Sequence, residues 1–437
     1  MVSVLRSFLC FLVFLGISCV KADILPIHPL KTPSGLEVWL VEDHTSPVVS
    51  LVFTFEKSKF DSPFTPSALL LKNTLYNGAG IFTPLEMDRF VKETPSLRSF
   101  EIGISKTILN IKTTKEGLSD SLKTWSRLIS TPQFDKANLA YNKTQALTSA
   151  SHLKEDLDAI AYLNLLKVIF PQATFSGDFD SISTVIGTLT AEDLVKENSL
   201  QFLATKPQIV VVGNVKKSEL IKILDSTFGV LPLQPLDSSP ISFKPQWAGK
   251  EVFIEKDVPQ SVIAFGQPGV HPLSKEYPLY LLLQNVLNVR FFEELRVKRG
   301  YIYSIQFQQN HYRDTDLLTG SFSCECLKAG KVVKFIRSEW ERIKDFGITQ
   351  EELSHAKLSF KKSHILNLTS TSAVASVYAD FQAFNLGTDA ARTLLEKTEK
   401  VTLEEINEFV LKVLKPDLLT FVFVGPSSER PQAKEQK

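Results

Sequence analysis

The chain has 437 residues, of which 43% are hydrophobic and 22% charged, with 49 Lys and Arg against 48 Asp and Glu. That length accommodates two or three domains, and that composition is globular, neither disordered nor coiled coil. A net charge of +1 leaves no electrostatic footprint for nucleic acid, which is not expected as a partner.

Residues 1–22 read as an export signal. Arg6 supplies the positive start, "SFLCFLVFLGISCV" (7–20) the apolar run, and Ala22 a small-residue cleavage site, so that Asp23 begins the mature chain. A retained membrane anchor is the alternative, but the run is short for a full span and Lys21 closes it. A lipoprotein reading of Cys19 is weakened by Gly16, which stands where a bulkier aliphatic residue is expected. No later stretch is apolar for long enough to span a bilayer, so no stable membrane insertion is expected after cleavage. The mature protein is expected to be exported and soluble, and periplasmic if the source is bacterial. Cys10 and Cys19 leave with the signal. Cys324 and Cys326 are i, i+2 neighbours on a predicted strand and are poorly placed to bridge each other, so the fold is expected to rely on its hydrophobic core.

Strands are predicted at 37–42 and 47–55, then helices near 64–77 and 84–93. Strands near 98–103 and 107–113 precede helices near 116–130 and 135–170. Residues 189–215 read as a capped helix, a lysine-proline break and an apolar strand ending at Gly213. Four prolines and an Asp-Ser-Ser cluster in "PLQPLDSSPISFKP" (232–245) mark a linker, taken as 232–247. Beyond it come strands at 251–255 and 260–266, a helix at 272–297 and strands near 302–310 and 315–326. Helices follow at 328–345 and 349–385, the last interrupted. The capped helix, break and strand then recur in 401–427, and a polar tail (428–437) ends the chain.

This order is a repeat. Glu37 and Glu251 open matching strands 214 positions apart, while Thr190 and Thr402, like Gly213 and Gly425, are 212 apart. The expected fold is α+β: two tandem homologous domains, 23–231 and 248–427, each a largely antiparallel sheet with helices packed on one face.

A duplicated domain of this kind resembles the pitrilysin/insulinase (M16) family of zinc metallopeptidases, in its short-subunit, processing-peptidase-like branch. The resemblance runs over nearly the whole mature chain and is carried by "TPQFDKANL", "IGTLTAEDL", "VVVGNV", "VPQSVIAFGQPGV" and above all "FFEELRVKRGYIYS". The family's zinc motif is H-x-x-E-H on a helix: two His one turn apart grip the ion, and the Glu takes a proton from the bound water. Aligned by the strand "SLVFTF" and the turn at Gly78-Ala79, that motif falls on "LLLKN". Leu69 and Asn73 stand at the His positions and Lys72 at the Glu. Leucine has no lone pair, lysine places a cation where a dication would sit, and asparagine is a poor zinc ligand. The family's third ligand, a Glu, falls within 136–154, a stretch with no Asp or Glu; its His152 reads as a surface helix residue. No metal is expected on this chain.

The second half keeps the other part of the resemblance. Arg296 and Tyr303 have the spacing and flanks of the family's Arg and Tyr, which lie across the cleft from the zinc and bear on substrate. A phenol and a guanidinium suit the negative charge that builds on a peptide carbonyl under attack. Lys298 and Arg299 read instead as cations favourable at a helix C-terminus, with Gly300 as the cap. Residues 281–296 contain no glycine, unlike the glycine-rich segment of active relatives.

The strand "QSVIAFGQ" (260–267) is a candidate for adding an extended peptide at a sheet edge. Asn142-Lys-Thr and Asn367-Leu-Thr match the glycosylation triplet, which matters only in a eukaryotic secretory pathway. The resemblance implies a non-catalytic subunit of a heterodimeric zinc peptidase. A homologous partner would hold the zinc, and this chain would bind extended peptide and offer Arg296 and Tyr303. The alternative is a scaffolding pseudo-peptidase, like the core subunits of respiratory complexes.

Overall fold

A computed structural model describes residues 26–57, 60–79, 81–173, 175, 179–234, 243–312 and 315–426. The signal (1–22), the middle of the linker (235–242) and the tail (428–437) lie outside the described residues. The first half runs β1 (His28–Lys31), β2 (Glu37–Glu42), β3 (Val48–Glu56), α1 (Pro66–Tyr76), α2 (Pro84–Glu93), β4 (Ser96–Ile102), β5 (Lys106–Thr114), α3 (Leu118–Ser130), α4 (Lys136–Leu153), α5 (Leu157–Ile169), α6 (Asp180–Thr188), α7 (Ala191–Asn198), β6 (Gln208–Gly213) and α8 (Lys217–Thr227). The second runs β7 (Glu251–Glu255), β8 (Gln260–Pro268), α9 (Tyr277–Phe291), β9 (Ile302–Tyr312), β10 (Thr315–Glu325), α10 (Ala329–Phe346), α11 (Gln350–Leu366), α12 (Thr371–Ala383), α13 (Ala390–Lys400), α14 (Leu403–Val413) and β11 (Thr420–Gly425). Among the described residues no helix is long and apolar enough to cross a membrane.

Local chemistry sets these boundaries. The helix predicted over 135–170 is two helices, because the Asp156 side chain accepts from the Ala159 amide and caps a new start. Ser370 does the same for α12, which interrupts 349–385. Thr190 with Asp193, and Thr402 with Glu405, form reciprocal capping boxes that start α7 and α14 in the same way in each half.

The first sheet has the order β1-β2-β6-β3-β5-β4 and the second β7-β11-β8-β10-β9. Among the described strand pairs, only β2–β6 and β7–β11 are parallel. Neighbouring residues of a strand point to opposite faces, and both faces are apolar here. In the first sheet Leu51, Phe53, Ile209 and Val211 belong to the first half's own core. Val52, Val41, Val210 and Val212 pack instead against Ala375, Tyr378 and Ala379 of α12. The second sheet mirrors this arrangement. Ile263, Phe265, Phe421 and Phe423 face its own helices, while Val262, Ala264, Val422 and Val424 join the core that contains α5. Each sheet therefore carries its own half's helices on one face and a helix of the other half on the second.

α5 and α12 are repeat equivalents, both preceded by equivalent helices: Lys136 and Gln350 begin α4 and α11, and Leu157 and Thr371 begin α5 and α12, each pair 214 positions apart. The exchange needs close approach. A Cβ at Gly266 would meet Leu165 Cδ2 at 3.5 Å, and Ser50 Oγ bonds Thr371 Oγ1 at 2.8 Å.

Because each half covers the other's sheet, the two halves are expected to melt together. Leu165→Ala, in the first half, should cost about 2–5 kcal/mol. It should lower the urea midpoint equally whether followed through the buried Trp125 of the first half or the buried Trp340 of the second. A second-half transition that does not move would show that the halves fold separately.

Candidate functional site

α1 starts at Thr65, whose side chain accepts from the Ala68 amide, with Pro66 in the first turn. Leu69 is buried in the core. Lys72 and Asn73 are half-buried one turn on. Asn73 Nδ2 is spent on the Leu69 carbonyl, at 2.9 Å. Lys72 makes no hydrogen bond or ion pair among the described residues. α4 packs against α1, joined by Asn77 Nδ2 donating to Asn142 Oδ1 at 2.6 Å. Asn142 is 1% exposed and also donates to the Asn138 carbonyl, so its triplet is closed to glycosylation in the folded chain. His152 is exposed in the last turn of α4. Among the described residues no group of three His, Cys, Asp or Glu is placed to hold a metal. The donor set of this seat, a leucine, a cation and a committed amide, does not fit zinc.

The Arg296–Tyr303 pair is brought together. α9 ends in a π-helical turn, Phe292–Val297, a widened turn of a kind that recurs at functional sites. The turn closes at Gly300, which has φ +58° and nothing within 4 Å of where a Cβ would stand. Arg296 Nη1 donates to the Ile302 carbonyl at 2.9 Å, and its guanidinium lies 5.9 Å from the Tyr303 ring centroid. Tyr303 is 44% exposed, so it is no core residue, and its hydroxyl has no partner among the described residues. Lys298 and Arg299 are both paired with Glu294. These bonds hold the Glu294 carboxyl below the usual range and give the two cations a structural role.

The strand 260–267 is not an edge. β8 lies between β11 and β10 with ladders on both sides, so no peptide can add to it. The edges are β1 and β4 in the first sheet and β7 and β9 in the second. Sequence reasoning also missed what guards β9. Phe307 N donates to Asn288 Oδ1 at 3.0 Å, and Gln284 Nε2 donates to the Phe307 carbonyl at 2.8 Å. Both outward backbone groups at the middle of that edge are closed by α9. Between the halves, the far end of β9 opens onto a cleft of about 660 Å³ that Phe381, Phe384, Tyr277 and Lys106 help line. Lys106 spans it to Asp380 at 3.4 Å.

Behind the π-helical turn, buried Arg290 fastens α9 to its neighbours. It makes a bidentate pair with Glu352, both bonds 2.5 Å, and reaches Glu339 at 3.3 Å. Burial pushes the Glu352 carboxyl up, but bonds from Arg290 and Thr349 outweigh it and hold the group below its ordinary value of 4.5.

Residues 189–360 match the family model described as the peptidase M16 inactive domain. The chain is 23% identical over 421 residues to the non-peptidase homologue YmxG of Helicobacter pylori, covering 94% of this chain and 96% of that protein. Its fold is similar to a solved peptidase M16 inactive domain from Pseudomonas fluorescens, with a TM-score of 0.81, 19% identity, and 92% and 98% of the two chains covered. It is also similar to a solved protease from Helicobacter pylori, with a TM-score of 0.79, 19% identity, and 92% and 100% covered.

Two outcomes follow from these environments. Because the folded Glu352 carboxyl is depressed, its stabilisation is complete above pH 4.5 and is lost as pH falls through the folded value. Urea midpoints measured on a descending pH series should fall in that window, and Glu352→Gln should flatten the fall. Second, Leu69→His, Lys72→Glu and Asn73→His combined should yield no chelator-sensitive peptide cleavage, since α4 offers no acid. Zinc-dependent turnover by that variant would place the ligand helix elsewhere.

Proposed function

We infer that this chain, which belongs to the peptidase M16 family and resembles its non-peptidase members, serves as the non-catalytic subunit of a two-chain zinc peptidase. The observation that carries this reading is the contrast between its two motifs. The zinc seat is filled by a leucine and a cation, while Arg296 and Tyr303 stand together at the surface with their donors turned to no other duty than the one Ile302 contact. A partner with an intact H-x-x-E-H would hold the zinc. This chain would face it with the second half and bind extended peptide between the two.

The chemistry asked of the pair is modest and specific. Attack on the scissile carbonyl moves negative charge onto oxygen. A tyrosine O–H donates to that oxygen, and a guanidinium lends positive charge or holds a neighbouring substrate carbonyl. The Ile302 carbonyl and the Tyr303 ring hold Arg296 in place before substrate arrives, so less rotamer freedom is lost on binding. The export signal read at residues 1–22 puts such a complex outside the cytoplasm and, in a bacterium, in the periplasm.

The test is co-purification with the homologous partner, followed by cleavage of a flexible peptide. Removing one such donor typically costs on the order of 10²–10³ in kcat. Arg296→Ala with Tyr303→Phe should therefore slow turnover by about that much or more, with zinc content and complex assembly unchanged. Equal turnover by the double variant removes the role and leaves a scaffolding subunit.

A further inference from the structure

The π-helical turn after α9 is closed by more than its main chain, and the residue that adds to the closure is Arg299. Through the turn, Lys298 N donates to the Glu293 carbonyl at 2.9 Å, Gly300 N to the Arg296 carbonyl at 3.2 Å and Tyr301 N to the Leu295 carbonyl at 2.8 Å. A helix end leaves its last carbonyls short of main-chain donors, and a basic side chain nearby can serve them. Arg299 does so here. Its Nη1 donates to the Glu294 carbonyl at 2.8 Å and also to the Glu294 carboxylate. One guanidinium just beyond the turn therefore binds both the main chain and the side chain of a residue inside it.

The same guanidinium is fixed from α10. It lies 4.6 Å from the Phe335 ring centroid, within range of a cation–π contact. Phe335 also meets Phe291, the last residue of α9, edge-on at 6.2 Å. One ring thus touches the residue before the turn and the residue after it. Lys328 Nζ adds a bond to the Gly300 carbonyl at 3.3 Å. Lys298 is different. Among the described residues its side chain bonds the Glu294 carboxylate alone, and it is 61% exposed against 36% for Arg299. The residue types account for the difference. A planar guanidinium can bond oxygens at its edge while its face lies on a ring, and a point charge on a flexible stem cannot.

We propose that Arg299 is a positioning residue, which locks the π-helical turn and so sets Arg296 and Tyr303 at the separation a substrate meets. The two stand on either side of the locked segment. Arg296 is inside the turn and Tyr303 is on β9 just after it, and the Arg296 bond to the Ile302 carbonyl spans the residues that Arg299 ties down. Gly300 is where such a segment would otherwise give way. Its φ is +58° and nothing lies within 4 Å of where a Cβ would stand, so no packing about that Cβ position holds it. Groups held in place before substrate arrives act in place, and a displacement of ~1 Å can cost about 10²-fold in rate. The role rests on the reading of Arg296 and Tyr303 as a substrate-facing pair. The lock itself belongs to this chain alone and is measurable with neither a partner nor zinc.

The test reads the lock and its consequence separately. For the lock, the full mature chain is labelled with fluorotyrosine and followed by fluorine NMR below the thermal midpoint of each variant. The Tyr303 resonance is identified by its loss in Tyr303→Phe. Arg299→Ala should shift or broaden it, Phe335→Leu should move it the same way, and Lys298→Ala should leave it in place. Arg299→Lys should not restore it. For the consequence, the partnered complex is assayed for peptide cleavage. Arg299→Ala should lower kcat about 10–100-fold at unchanged zinc content. It should lower kcat no further once Arg296→Ala and Tyr303→Phe are present, because a residue acting only through that pair then has nothing to position. A Tyr303 resonance unmoved by Arg299→Ala overturns the lock. A moved resonance with undiminished turnover, or a loss that adds in full to that of the double variant, overturns the positioning role. Normal turnover by the Arg296–Tyr303 double variant would instead be the failure of the underlying reading, told apart by a resonance that still moves.

Discussion

The reciprocal seating of α5 and α12 is the constraint on which everything else rests. A sheet that is apolar on both faces cannot stand in water with one face bare. Each half supplies the missing cover for the other, so the relative position of the halves is set by packing in two places at once. That in turn fixes where β4, β9 and the π-helical turn lie, and so holds the Arg296–Tyr303 pair and the Lys72 seat in one rigid frame.

Within that frame the two halves present different side chains at the ends of their equivalent helices α1 and α9. The first carries Leu69, Lys72 and Asn73 on α1, and the second brings Arg296 and Tyr303 together just beyond α9. The Arg290–Glu352–Glu339 cluster shows how the second part is held. Buried charge there is paired from three helices, and the turn carrying Arg296 begins directly beyond it.

Much of this was legible in the sequence, and the physics says which part. Capping boxes and lysine-proline breaks are local, so Thr190 and Thr402 announced the repeat and the helix starts. That "LLLKN" offers poor zinc ligands was readable because ligand chemistry depends on residue type. Edge status was not readable. Hydrophobic period reports which face a side chain takes, not whether a strand has one neighbour or two, and "QSVIAFGQ" was accordingly placed at an edge when it is central. The helix exchange left a trace that went unused: "LDAIAYLNLLKVI" is apolar nearly all round, as a helix buried between two layers must be. The π-helical turn left none, since "FFEELRV" carries neither glycine nor proline.

The open edge at β4 has a further consequence, for solubility. An unpaired strand invites a second copy of the same strand, and natural proteins discourage this with lysine or with cover. Here β9 is covered by Gln284 and Asn288, and β4 is charged by Lys72 and Arg98. Two copies of this chain meeting edge to edge would bring like cations together beside a low-dielectric wall, and the encounter would be repelled. The charge beside β4 therefore disfavours pairing of that edge with a second copy of itself.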